Sequence, residues 1–292
     1  MARLKEVQNR IKSVKSTRRI TGAMEMVAAA KLRRAQQRVE QARPYAEKLN
    51  EMLMHLAAGA TGEISHPYFD KREVHRKTLV VITSDRGFCG SFNANIIRRA
   101  VQWIEEAGEV DIELLCVGKK CHDYFKRRDW SILGYEGDWS GQLEYSRARA
   151  IVHQLTDRFI AGQTDQIDLL YTRFLSTSKY KVTLESYLPI EKPEISDDDE
   201  NEHQGTMDYI FEPDPEAIYA ALMPSYATTK MVTALNESFA SEHGSRMIAM
   251  NNATKNAGEM IDRLTLDYNK ARQAQITTEL LEVVSGAEAL KG

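Results

Sequence analysis

Residues 2–58 read ARLKEVQNRIKSVKSTRRITGAMEMVAAAKLRRAQQRVEQARPYAEKLNEMLMHLAA. Within this stretch Leu4, Val7, Ile11, Val14, Thr21, Ala28, Leu32, Ala35, Val39, Ala42, Ala46, Leu49, Leu53 and Leu56 recur at alternating three- and four-residue steps. That spacing puts them on one stripe of a helix, the seam of a coiled coil. Arg18 and Glu25 fall where apolar residues are expected, and Met24 and Val27 carry the stripe sideways. Such drift follows when a helix is straighter than a strict heptad demands. Small residues (Thr21, Ala28, Ala35, Ala42) fill the middle of the seam and allow a partner helix to approach closely. Pro44 is expected to kink or restart the helix near Arg43. Helical throughout, roughly 55 residues span on the order of 80 Å.

A matching segment lies at the other end. It follows EPDP (212–215), and Pro224 is expected to interrupt it early. From Ser225 to Ser285 there is no proline, and Met247, Met250, Ala257, Ile261, Leu264, Tyr268 and Ala271 repeat the same spacing. The stripe drifts on to Ile276, Leu280 and Val283, with Ala253, Thr254, Gly258 and Ala274 keeping it small. Both helical ends flank one middle region, so they are expected to run antiparallel, as a shaft reaching beyond the domain between them.

That middle region changes character. TLVVIT (78–83) is a β-rich run followed by SDRGFCGSFN (84–93) and a helical pattern over 94–106. Strand patterns at 111–117, 130–133, 167–175 and 181–189 alternate with helical ones at 119–128 and 142–161. Strands alternating with helices predict a parallel α/β sheet. The boundaries read as 1–58 for an N-terminal helix, 59–212 for the α/β domain and 213–292 for a C-terminal helix. EISDDDENE (194–202) concentrates acidic charge, and 194–206 reads as a mobile loop, since like charges repel and stay solvated.

Composition narrows the function. The 292 residues carry 39 basic and 42 acidic side chains, a net charge of -3. The charge is uneven: residues 1–39 hold 11 Lys or Arg against Glu6 and Glu25. Lys31, Arg33 and Arg34, with Arg10, Lys12 and Lys15, form a basic face. No aromatic residue interleaves with those charges, which argues against a nucleic-acid binder. No run of roughly 18 apolar residues is present to span a bilayer. MARLKEVQNR lacks the apolar core of a secretory signal. Cys89, Cys116 and Cys121 are an odd number without metal spacing, so a reducing compartment is expected.

Catalytic signatures are missing. The loop 84–93 sits at the carboxyl end of a strand, where α/β sheets take ligands. Yet the chain has neither GxGxxG nor GxxxxGK[ST], so the phosphate signal is weak and a tight turn is the plainer reading. His55, His66, His75, His122, His153, His203 and His243 are scattered, without HExxH or a cysteine partner, and there is no GxSxG. No catalytic residue, cofactor or metal ligand is assigned. The rival readings are an α/β enzyme with a helical arm and a coiled-coil tether.

Three stretches carry a specific resemblance. IKSVKSTRRITGAMEMVAAAKLRRAQ (11–36), SDRGFCGSFN (84–93) and SRMIAMNNATKNAGEMIDRLTLDYNKARQAQITTELLEVVSGAEAL (245–290) resemble the gamma subunit of F-type ATP synthases, and the likeness runs end to end. SDDDE (196–200) followed by MDYIFEPDP (207–215) resembles the bacterial form. Phe88, Ser91 and Phe92 depart from the family, which more often has smaller aliphatic residues and a second glycine there. The resemblance implies a long antiparallel coiled coil of the terminal helices with an inserted Rossmann-like α/β domain. It implies a non-catalytic rotor shaft inside a ring of alpha and beta subunits. The foot would be attached to an epsilon subunit and a c-subunit ring, peripheral on the cytoplasmic side of the inner membrane. By position it assigns Met24, Lys31, Arg33, Arg34, Arg272, Gln273 and Thr277 to contacts with the ring, and Tyr209 and Glu212 to the c-ring and epsilon contact.

Overall fold

Strand β1 (Arg76–Ile82) is buried on both faces from Thr78 onward. A strand without a polar face must lie inside a sheet covered on two sides. The computed structural model, which describes residues 2–59, 66–139, 141–191 and 215–289, shows this arrangement. Its elements are α1 (Ala2–Gly59), a 3-10 turn (Pro67–Phe69), β1, α2 (Phe92–Glu106), β2 (Asp111–Val117), α3 (Lys119–Lys126), β3 (Ile132–Glu136), α4 (Tyr145–Ile160), β4 (Gln166–Ser176), β5 (Lys179–Leu188) and α5 (Pro215–Ala289). They divide into two compact units, Met1–Ala28 with Arg246–Gly292, and Ala29–Ser245.

The larger unit holds a sheet in the order β3-β2-β1-β4-β5. Alternate residues of each strand serve opposite faces. Val80, Ile82, Leu115, Val117, Leu169 and Tyr171 face α4 and the adjoining parts of α1 and α5. Leu79, Val81, Leu114, Cys116 and Leu170 face α2 and α3, with Ile96 and Phe125 at the contact. The parallel sheet predicted from the alternation holds for four strands, and β5 corrects it by pairing antiparallel with β4. Only Thr177 and Ser178 join those two strands. A connection that short permits no crossover, so the second strand must turn back on the first.

Pro224 corrects the sequence reading, because α5 continues through it without interruption, and α1 likewise runs on through Pro44 without a restart. Each proline removes one bond to the carbonyl four residues earlier, at Glu40 and Ala220. Both prolines and both of those residues are exposed, so water takes the freed carbonyl and the helix persists. The acidic stretch 194–206 lies outside the described residues.

In the smaller unit the two helices form the expected seam. Thr21, Ala28, Met250, Ala257 and Ile261 are buried, while Leu4, Val7, Ile11, Val14, Leu264, Tyr268 and Ala271 are half-buried. The Thr254 hydroxyl bonds the Thr21 hydroxyl at 2.8 Å, and Asn251 Nδ2 donates to Glu25 Oε1 at 2.8 Å. A Cβ placed on Gly258 would sit 3.8 Å from the Arg18 guanidinium. Rising numbers on one helix meet falling numbers on the other, so the pair is antiparallel. Arg18 and Glu25, the two misfits of the heptad, are accommodated by a glycine and an asparagine opposite.

Candidate functional site

An open α/β sheet takes its ligand beyond the carboxyl ends of its strands, where the strand order reverses. Here the reversal falls between β1, which continues to β2, and β4 on its other side. The β1–β4 pairing ends at Val81–Leu170, and β4 runs on to Ser176. Thr172 is therefore past its neighbour, with backbone groups to satisfy. Helix α5 satisfies them: the Thr172 amide donates to Ser238 Oγ at 3.1 Å, and Ser241 Oγ donates to the Thr172 carbonyl at 3.2 Å. The crevice is filled by the protein's own helix.

The loop after β1 is committed in the same way. The Ser84 amide donates to Asn93 Oδ1 at 3.0 Å, and Asn93 Nδ2 donates to Ser84 Oγ at 2.8 Å and approaches Cys89 Sγ at 3.1 Å. Ser84 Oγ lies 2.6 Å from the Arg86 carbonyl. At the neighbouring α3 terminus the Lys119 amide donates to Asp85 Oδ1, the Lys120 amide to the Ser84 carbonyl and the Cys121 amide to Thr83 Oγ1. These are the amides a phosphate uses at a helix N-terminus. Each already has a protein acceptor, so the loop is the tight turn anticipated. Gly118 shows how close that turn is: it has φ 95°, and a Cβ there would lie 2.2 Å from the Thr83 carbonyl oxygen.

Cys89, Cys116 and Cys121 are free and buried. Burial pushes the Cys121 thiol well up, as does the neighbouring Cys116 thiol, which keeps Cys121 in the un-nucleophilic form at neutral pH. Among the described residues no group of His, Cys, Asp and Glu is arranged to hold a metal, and no helix is long and apolar enough to cross a membrane.

The residues assigned by resemblance fall on helix surfaces. Met24 is half-buried beside the seam of the smaller unit, and Arg272, Gln273 and Thr277 are exposed on α5 in the same unit. Thr277 Oγ1 bonds back to the Gln273 carbonyl at 3.0 Å, which fixes its rotamer. Lys31 is half-buried, and Arg33 and Arg34 are exposed, on the part of α1 that belongs to the larger unit. Tyr209 and Glu212 lie outside the described residues. Beyond Thr277 the apolar residues of α5 are open to solvent, Leu280 at 60% and Val283 at 69%.

The buried polar residues Ser238, Ser241, His243 and Ser245 were not legible as functional candidates. In sequence they belong to NESFASEHGS (236–245), which resembles a solvated helix face. Three serines at helical spacing beside Gly244 are the signal that was there to find.

The architecture defines a class: an α/β domain inserted between two terminal helices that coil antiparallel. Comparison narrows it further. A family profile described as ATP synthase matches residues 3–290. An ATP synthase gamma chain of Moorella thermoacetica is 46% identical over 291 residues, covering 100% of both chains. One from Geobacter sp. strain M21 is 46% identical over 294 residues with the same coverage. Among solved structures, a chain of the central stalk and c-ring of the Tetrahymena thermophila mitochondrial ATP synthase shares 28% identity at a TM-score of 0.59, over 80% of this chain and 99% of that one. A chain of the Euglena gracilis mitochondrial ATP synthase has TM-score 0.69 at 19% identity, over 99% and 95%, a likeness of fold. The chain belongs to the ATP synthase gamma chain family.

Proposed function

We propose that this chain is the central rotor shaft of an F-type ATP synthase, coupling rotation of a proton-driven c-ring to the catalytic cycle of an alpha–beta ring. The observation that carries the reading is the end-to-end match at 46% identity to ATP synthase gamma chains. It is a non-catalytic subunit: nucleotide chemistry belongs to the ring around it.

The surfaces suit the role. A shaft that turns in a sleeve needs contacts that change partner without a deep minimum. The small seam of Thr21, Ala28 and Ala257 keeps the two helices close. The exposed apolar end of α5 supplies a surface for the ring to bear on. Arg33 and Arg34 offer charge attraction, which is longer-ranged than packing and tolerates changing geometry. In this reading Met24, Lys31, Arg33, Arg34, Arg272, Gln273 and Thr277 meet the alpha and beta subunits. Tyr209 and Glu212 meet the c-ring or the epsilon subunit. The working division is 1–58, 59–212 and 213–292, shaft, foot and shaft. The complex would hold the chain peripherally at the cytoplasmic face of the inner membrane.

The test is recovery of the assembled complex. A tag inserted at the exposed turn of residues 127–129 is used to pull the chain from source membranes, and the eluate is assayed for ATP hydrolysis. Co-eluting alpha and beta subunits with activity support the rotor. An inactive eluate without them sinks it and favours the tether.

A further inference from the structure

Helix α5 is densely polar where it is most buried. Asn236, Glu237, Ser238, Ser241, Glu242, His243 and Ser245 are all buried within a few turns. Serines inside helices usually bond back to their own helix. These bond outward. Ser238 and Ser241 hold the amide and the carbonyl of Thr172 in β4. Ser245 Oγ donates to the Cys89 carbonyl at 2.6 Å, in the loop between β1 and α2, and lies 3.4 Å from Tyr180 Oη in β5. His243 Nε2 is 3.3 Å from the Gly141 carbonyl, ahead of α4. A Cβ on Gly244 would come within 3.2 Å of the Thr177 carbonyl in the β4–β5 turn. The helix is thus gripped by separate parts of the α/β domain at once.

We propose that residues 237–245 of α5 are the joint through which torque passes between the α/β domain and the shaft. Ser238 and Ser241 are its positioning residues. The proposal rests on the rotor reading above. Apolar packing resists separation but is non-directional, so it opposes rotation of a helix about its own axis only weakly. Hydrogen bonds are lost over a narrow range of angle. A turn of α5 by one residue position, about 100°, takes both serines away from Thr172. It would leave a buried amide and a buried carbonyl without partners, which opposes the slip. The tight approaches at Gly141 and Gly244 add steric stops. A Cβ on Gly141 would lie 2.2 Å from His243 Nε2.

The experiment uses the assembled complex in membrane vesicles, carrying Ser238→Ala with Ser241→Ala. ATP hydrolysis and ATP-driven proton pumping are measured on equal amounts of complex. Hydrolysis is expected to change little, while protons pumped per ATP fall below the wild-type ratio, because loss of two buried hydrogen bonds shifts the helix from seated toward slipped. Ile96→Ala is the control. Ile96 is buried in α2 on the other face of the sheet, so the variant loses stability without touching the joint. Its pumping ratio should match wild type. A wild-type ratio in the double variant, or an equal loss in Ile96→Ala, overturns the proposal. Should the double variant fail to assemble, Ser241→Ala alone is read by the same ratio, and an unchanged ratio overturns the proposal likewise. Failure of the rotor reading is distinguishable, since the wild-type chain would then not recover the ring at all.

Discussion

A carboxylate with one oxygen unpartnered inside a protein is costly to ionise, and Glu237 stands in that position, its Oε2 buried without a hydrogen-bond partner. Burial pushes its pKa up; Arg173 of β4 and Arg43 of α1 oppose this, and Glu185 of β5 adds to it. Glu47 of α1 lines the same small cavity, about 80 Å³. Because the folded pKa lies above the usual 4.5, the unfolded chain releases its proton first, and stability falls as pH rises from there through the folded value. Glu237→Gln removes that slope. The variant should melt above wild type at pH 8, with the gap closing as the pH is lowered toward 4.5; a constant gap would contradict the assignment. Asp165 is the opposite case. Burial raises its pKa, but the backbone amides of Arg76 and His75, donating to Oδ2 at 2.8 Å and 2.9 Å, outweigh this and hold it below the usual 3.8. Its contribution is present above that range and is lost as pH falls through the lowered value. Asp165→Asn should therefore melt below wild type at pH 7, and the two should converge in acid. Neither role was legible in the sequence, because each depends on which backbone amides from distant segments reach the carboxylate.

The seam of the terminal helices was legible over most of its length, since a three-four spacing is a property of one helix and needs no knowledge of its partner. It fails at the end of α5, where Ala274, Ile276, Leu280 and Val283, expected on the stripe, are exposed because the register that sets Thr254 opposite Thr21 carries them beyond Leu4. Every seam position from Leu4 to Leu56 is buried or half-buried. The elements that misled were those decided by their surroundings. Pro44 and Pro224 break isolated helices but are tolerated where the freed carbonyl meets water. β5 has the same local pattern as a parallel strand, and only the two-residue turn before it reverses its direction. Small seam residues carry a prediction of their own. Ala257 is 7% exposed against a partner helix held close by its size. Ala257→Leu overfills that space, and overpacking costs about 1–3 kcal/mol. Thermal unfolding should show a lower midpoint, whereas Ala274→Leu, at an exposed position of the same helix, should leave it in place. Equal midpoints for the two variants would mean that the seam is too loose to sense a side chain.

Across the whole molecule, the division of labour between surface and interior separates two kinds of lesion. Arg272 and Gln273 are exposed on α5. Removing their polar groups should take away contacts to the catalytic ring and nothing from the chain itself. Met24 is half-buried beside the seam, where Glu25 already bonds Asn251 across the helix pair. A lysine at that position places a new cation next to the acidic loops that, by family resemblance, the beta subunits present. A fixed charge pair adds a preferred angle to a rotor that works by having none, so energy released by hydrolysis is spent on leaving that angle. The two lesions should therefore diverge in the assembled complex. Arg272→Leu and Gln273→Leu should lower ATP hydrolysis while the variant chain melts at the wild-type temperature. Met24→Lys should retain hydrolysis but quench a pH dye in vesicles poorly. Normal turnover in the leucine variants, or undiminished quenching with Met24→Lys, would remove these residues from the ring interface.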